Sequence, residues 1–311
     1  MDRPAGTLML LDAASLYFRA YHGIPADAMK APDGRTVNAV RGLLDSIAYL
    51  VNARQPDRLI AGMDYDWRPA FRVALLPSYK SHRLANVATG AQKVPFALRA
   101  QEPIITDVLD AIGIAHVGAD GFEADDVIGT IAARDAGPVE IVSGDRDLFQ
   151  LVDDARRVCV IYIGRGVRRY EVIDETAVTR KYGIPGQAYA EFATLRGDPS
   201  DGLPGVDGLG ASAAATMVSR FGDVEELLKA ADDPGADMSP GIRRRLLDAR
   251  DYLEAAPAVV RVRRDVPLPE VDDALPRSPR SPERLLELSD RWNLAPSLNR
   301  VLNALADPGT P

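Results

Sequence analysis

The chain has 311 residues, with 37 Lys and Arg against 45 Asp and Glu and a formal net charge of −8. That length suits two domains with a sizeable core, and the single cysteine, Cys159, excludes an internal disulfide. No stretch approaches the ~20 apolar residues of a membrane span, and MDRPAG followed by LMLL is no signal peptide, so a cytoplasmic protein is expected.

TLMLLDAAS (7–15) is a short apolar run ending in Asp12, suited to a buried parallel strand. VRGLLDSIAYLVNA (40–53) has a helical pattern. RLIAGMDYD (58–66) repeats the first design and ends in Asp64. Residues 77–101 form a long connection carrying Lys80, His82, Arg83, Lys93 and Arg99, as a functional lid or a mobile loop would. PIITDVLDAIG (103–113) is helical, with Gly113 at its C-cap. IAHV (114–117) is a third strand, with His116 as a core or edge residue, and ADDVIGTIAARD (124–135) is a helix. VEIVSGDRD (139–147) is a fourth strand, ending in Asp145 and Asp147. RVCVIYIGRGVRRYEV (157–172) predicts a hairpin turning at Gly164 and Gly166. Strands alternating with helices predict an α/β domain with a mostly parallel sheet over 1–185.

Beyond 185 the strand signals fade. QAYAEFATLR (187–196), ASAAATMVSRF (211–221), VEELLKAA (224–231) and GIRRRLLDARDYL (241–253) predict a smaller helical domain within 186–311. The Pro- and charge-rich stretch 266–281 reads as a linker or wrapping segment. Two short helices follow, at 282–292 and 297–306.

The ends of the elements carry the chemistry. In an open parallel sheet, ligands bind beyond the carboxyl ends of the strands, where Asp12, Asp64, Asp145 and Asp147 converge. GFEADDVIG (121–129) adds Glu123, Asp125 and Asp126 at a helix start, and RGDPSDGLPG (196–205) adds Asp198 and Asp201. Any one of these could be a turn residue or helix cap. Together they need counter-charge, which hard divalent cations, Mg²⁺ or Mn²⁺, supply through oxygen ligands. Two such ions about 4 Å apart suit phosphodiester hydrolysis. These nine acids exceed the whole net charge, so −8 does not exclude a nucleic-acid partner.

Other chemistries fit poorly. There is no H-E-x-x-H, no paired-Cys zinc pattern, no G-x-S-x-G and no P-loop. GLGASA (208–213) matches a dinucleotide fingerprint formally, but no strand precedes it. GVDGLG (205–210) instead joins two helices and could present backbone N–H groups to a phosphate.

The ordered set LLDAASLYFRAYHGIP, GMDYDWRPAFRVALLPSYKSHR, GFEADDVIGT, VSGDRDLFQLV and RGDPSDGLPGVDGLGASAA resembles the flap endonuclease-like 5′ nucleases. It is most similar to the bacterial 5′–3′ exonucleases, found as the N-terminal exonuclease of DNA polymerase I and in stand-alone form. The resemblance covers roughly residues 7–255. It implies a PIN-like domain with a helical arch about 77–101, followed by a helix–three-turn–helix domain. It implies a structure-specific 5′ nuclease, both 5′–3′ exonuclease and flap endonuclease, removing flaps and RNA primers in replication and repair. Two divalent cations would be shared among Asp12, Asp64, Glu123, Asp125, Asp126, Asp145, Asp147, Asp198 and Asp201. Lys80 and Arg83 would be catalytic, stabilising charge at the scissile phosphate. Arg19, Tyr79, Gly205, Val206, Gly208 and Gly210 would bind nucleic acid, the hairpin glycines with K⁺. The implied partners are DNA with a 5′ flap or 5′ end and an RNA–DNA hybrid, for a nucleoid-associated monomer without membrane contact.

Three features depart from the family pattern. Gly202 stands where asparagine is usual, Arg196 where an apolar residue is common, and the segment 84–98 has few charges. The alternatives are a DNA-binding module without catalysis, a phosphatase with an Asp nucleophile, and a bare PIN ribonuclease. The full acid set argues against the first. The phosphatase wants D-x-D where this chain has DAA, and the ribonuclease would not need the helical domain.

Overall fold

The computed structural model describes residues 5–28, 30–86 and 91–306. In chain order the first half comprises β1 (Leu8–Asp12), α1 (Ala13–Gly23), α2 (Asn38–Arg54), β2 (Arg58–Gly62), α3 (Ala70–Leu75), β3 (Leu84–Asn86), β4 (Ala91–Gln92), α4 (Phe96–Arg99), α5 (Glu102–Ile112), β5 (Ala115–Val117), α6 (Ala124–Arg134) and β6 (Val139–Ser143). The second half comprises β7 (Val158–Tyr162), β8 (Glu171–Ile173), α7 (Glu175–Tyr182), α8 (Tyr189–Arg196), α9 (Ala211–Phe221), α10 (Val224–Asp232), α11 (Pro240–Asp248), α12 (Arg250–Val260), α13 (Pro282–Trp292) and α14 (Ala295–Ala306).

Six strands form one sheet in the order β5-β2-β1-β6-β7-β8, parallel except for β8. Strand β1 lies inside it, paired on one side with β2 and on the other with β6. Its apolar run does not alternate with polar residues because both faces are covered: Leu8 and Leu10 point into one core, Met9 and Leu11 into the other. In register, Asp12 lies opposite Gly62, and Leu11 opposite Val142. The carboxyl ends of β1, β2 and β6 therefore form one edge, as the strand-end aspartates require.

The helical region does not stand apart from the sheet. Phe149, in a 3₁₀ turn after β6, meets Tyr189 of α8 edge-on at 5.4 Å. The same core continues through Leu227 and Leu253. The sequence predicts a single C-terminal region over 186–311, but its last two helices leave it. Residues 266–281 run back along the sheet, where Leu59 donates its N–H to the Asp273 carbonyl at 2.8 Å. Beyond this strap, α14 packs on α2 and α13 on α5, so Leu285, Leu288, Leu298 and Val301 complete the opposite core.

The helical arch expected about 77–101 takes another form among the described residues. Ser81–Arg83 is one turn of 3₁₀ helix, β3 and β4 pair antiparallel, and α4 is four residues long. A continuous helix could not pass through Pro95, which restricts Val94 to extended backbone. Residues 87–90 of the arch lie outside the described residues.

Candidate active site

Asp12 ends β1 and caps α1: its Oδ1 accepts the Ser15 N–H at 2.9 Å. Its Oδ2 accepts the hydroxyl of Ser143, the last residue of β6, at 2.6 Å. Burial pushes the Asp12 carboxyl up to about 6, although both hydrogen bonds favour its ionised form. Ser143 Oγ also accepts the Asp145 N–H at 2.9 Å, and Asp145 Oδ1 accepts the Asp147 N–H at the same distance. Burial, then Asp145 and Asp201, raise the Asp147 carboxyl well above the carboxylate range.

Asp64 follows β2. Its Oδ1 is buried without a hydrogen-bond partner, and burial followed by Glu123 pushes its carboxyl up to about 7. At the start of α6, burial, Asp145 and Asp12 raise Asp125 strongly. In the 198–201 turn, Ser200 donates its N–H and its hydroxyl to Asp198 Oδ1 at 2.8 and 2.5 Å. Asp201 is raised by burial against the opposing pull of Lys80.

A cleft of about 740 Å³ gathers Asp12, Asp64, Glu123, Asp125, Asp145 and Asp198 with Arg19, Lys80 and Arg83. Asp147 and Asp201 are not among the lining side chains, but both lie close enough to feel the charge of Asp145 and Asp198. Asp126 does not reach the cleft. It is 0 % exposed, its two oxygens accept from Arg72 at 2.8 and 2.7 Å, and its Oδ1 also accepts the Arg263 N–H. The expectation of a ligand is thus corrected for Asp126, whose oxygens are spent on a buried ion pair.

Tyr79, expected at the nucleic-acid surface, is buried as well, and its hydroxyl donates to Glu123 Oε2 at 2.6 Å. Lys80 pairs through Nζ with Glu123 Oε1. Burial opposes its charge most strongly, but Glu123, Tyr79 and Asp201 together outweigh this and hold the ammonium well above its usual range. Arg83 Nη2 donates to Asp201 Oδ1 at 2.8 Å. Both cations expected at the scissile phosphate rest on acids of the same cleft. Arg19 lies on the cleft wall and donates to the Gly164 carbonyl at 3.2 Å.

The two site departures have structural counterparts. Gly202 has φ +73°, and a Cβ there would stand 2.3 Å from the Ser78 carbonyl oxygen. Asparagine tolerates that φ but not that contact. Arg196 lies 5.1 Å over the Phe192 ring and 3.6 Å from Asp198.

In the hairpin, Gly205 and Gly208 both have φ +69°. Val206 is buried, so its side chain faces the core rather than a ligand. The carbonyls of Val206, Gly208 and Gly210 already accept from Leu209 N–H, Arg245 Nη1 and Ala214 N–H. Each of these oxygens keeps a second lone pair that could face a K⁺.

For divalent cations the test differs. Among the described residues, no three carboxylate, imidazole or thiol groups already stand as a closed cation cage. The donors are nevertheless hard oxygens, mutually repelling, with one buried Asp64 oxygen unpartnered. Such a set fits a hydrated divalent ion that keeps several waters. Sequence reasoning missed Arg72, Ser143 and the cleft-lining Trp67. Arg72 left one trace, a lone charge inside the apolar run AFRVAL.

Comparison with known proteins agrees with this geometry. Residues 7–183 match the 5′-3′ exonuclease N-terminal resolvase-like domain, and residues 184–283 match the 5′-3′ exonuclease C-terminal SAM fold. A 5′-3′ exonuclease of Streptomyces coelicolor is 56% identical over 96% of this chain and 99% of its own length. One from Mycobacterium tuberculosis is 48% identical over 96% and 97%. The fold is also that of a bacteriophage T5 flap endonuclease solved with DNA and metal ions: TM-score 0.59, 17% identity, covering 97% of this chain and 100% of that one. The chain belongs to the 5′-3′ exonuclease family. It is accordingly an enzyme, a nuclease of that family.

Proposed function

We propose that the chain hydrolyses phosphodiester bonds in DNA carrying a 5′ end or 5′ flap, with two divalent cations held in the acid cleft. The observation that carries this is the meeting of Asp12, Asp64, Glu123, Asp125, Asp145 and Asp198, from five separate segments, in one cleft with Lys80, Arg83 and Arg19. Asp12, Asp64, Glu123 and Asp125 would hold one cation, and Asp145, Asp147, Asp198 and Asp201 the other. When bound, such ions supply Lewis-acid polarisation of a water and of the scissile phosphate.

The chain's own groups do the rest. Lys80 and Arg83 neutralise the acids before substrate enters, and each can exchange that partner for a phosphate oxygen. Arg19, fixed to the 164 carbonyl, offers its remaining charge to a neighbouring phosphate. At the hairpin, Arg245 stands against Gly208 and supplies positive charge near the start of α9, beside carbonyls that could also hold a K⁺. Flap and primer removal in replication and repair is the role this substrate class implies.

The test uses a 5′-labelled flap duplex with Mg²⁺ or Mn²⁺, a chelator control and Asp147→Ala. Cleavage near the single-strand junction, leaving 5′-phosphate and 3′-hydroxyl, is expected from the wild type alone. The Asp147→Ala variant should still bind. Equal cutting by the variant would overturn the ligand assignment, and release of inorganic phosphate without strand cleavage would overturn the reaction class.

A further inference from the structure

Among the described residues, Arg72 makes a buried connection that the nuclease reading does not use. It sits in α3 at 2 % exposure, with four of its five N–H donors engaged. Nη1 donates to Glu123 Oε2 at 2.6 Å and to Asp126 Oδ2 at 2.8 Å, Nη2 donates to Asp126 Oδ1 at 2.7 Å, and Nε donates to the Val259 carbonyl at 2.9 Å. Val259 lies in the last turn of α12 of the helical region, and the Arg263 N–H just beyond that helix closes onto Asp126 Oδ1 at 2.8 Å. One guanidinium therefore joins the cleft acid Glu123, the buried Asp126 and the end of the helical region.

We propose that Arg72 is a positioning residue for Glu123, fixing its carboxylate in the cleft and tying its orientation to the docked helical region. Glu123 is the cap residue of α6, and a carboxylate there can rotate about its side-chain torsions. Three donors remove that freedom: Arg72 and Tyr79 on Oε2, and Lys80 on Oε1. Lys80 must be free to turn toward substrate. Arg72 cannot turn, because Asp126 and the Val259 carbonyl hold it from behind. Asp126 is thus the anchor of the anchor, which explains a fully buried acid in a segment of cleft acids. A lysine could not reproduce this, since a single ammonium cannot present four donors in a plane.

This rests on the nuclease reading, and the experiment separates the two. Arg72→Lys and Arg72→Ala are measured beside wild type for cleavage of the flap duplex, for duplex affinity without divalent ions, and for Mn²⁺ affinity without DNA by electron paramagnetic resonance. Wild type failing to cut would sink the nuclease reading and leave the Mn²⁺ measurement to judge Arg72. The expected result is a kcat lower by about 10–100-fold and a similar loss of Mn²⁺ affinity. KM and duplex affinity should stay within about threefold, and millimolar guanidinium should restore part of the Arg72→Ala rate. In an Glu123→Gln background, Arg72→Lys should add little further loss. Mn²⁺ affinity within about twofold of wild type in a folded variant would overturn the proposal. So would parallel losses of kcat and duplex affinity with no rescue, the mark of a merely structural role. If Arg72→Ala does not fold, Arg72→Lys decides by the same criteria.

Discussion

The Ser143 hydroxyl donates to Asp12 Oδ2 across 2.6 Å, joining the carboxyl ends of neighbouring strands β6 and β1. The same oxygen receives the Asp145 N–H, so one serine organises acids proposed for both cations. Ser143→Ala removes both contacts at a fully buried point. The expected cost is about 1–3 kcal/mol of stability at pH 8, where Asp12 is ionised, with a lower cleavage rate. Urea unfolding of the two proteins at pH 8 checks the first figure, and an unchanged midpoint would contradict it.

Without divalent ions, stability should fall as pH rises. The Asp12 and Asp64 carboxyls are pushed up to about 6 and about 7, from an ordinary 3.8. Between about 4 and 7 the folded state therefore binds more protons than the unfolded state. The unfavourable term is absent below the unfolded value and complete above the folded one. For Asp12 alone it amounts to roughly 3 kcal/mol. Thermal unfolding in chelator should give a higher Tm at pH 5 than at pH 8, and Mg²⁺ or Mn²⁺ should flatten that slope. A Tm that climbs with pH in chelator would contradict the picture.

Gly202 offers a test through the backbone. Restoring the asparagine usual in the family would drive a Cβ into the Ser78 carbonyl and disturb the neighbouring Lys80 N–H, which donates to the Asp201 carbonyl at 2.9 Å. Gly202→Asn is expected to lower kcat at least tenfold, about 1.4 kcal/mol in barrier, while duplex affinity changes little. Single-turnover cleavage measures this, and a wild-type rate would show that the turn relaxes without consequence.

Tryptophan fluorescence reports on the cleft. The chain has two tryptophans. Trp67 lines the acid cleft, on a loop held by Arg68 donating to the Tyr79 carbonyl at 2.6 Å, whereas Trp292 is buried beneath Arg35. Titration with flap DNA in chelator should change the emission of wild type and of Trp292→Phe alike. It should leave Trp67→Phe silent. A signal carried by Trp292 would place the DNA elsewhere.

Much of this site was legible because strand ends are fixed by pattern. The apolar runs of β1, β2 and β6 each stop at an acid or just before one, and parallel pairing does the rest. What escaped were properties of partners rather than of positions. Asp126 and Asp125 are adjacent in sequence, and only the location of Arg72 shows which one turns away from the cleft. Tyr79 and Lys80 likewise read as groups facing the substrate until Glu123 is seen to engage both. The helical arch was an expectation of the resemblance, and the one local signal against a long helix there is Pro95. Helices α13 and α14 were legible as helices, but no local signal says which core they join.

That last point bears on how the molecule comes into being. Among the described residues, α2 and α5 are covered by α14 and α13, segments made some 200 residues later. A nascent chain leaving the ribosome would have its catalytic strands paired but their oily underside bare. Maturation of the cleft would thus wait on the final helices, and shortening the polypeptide after the strap would leave a sticky, unfinished core rather than a smaller nuclease.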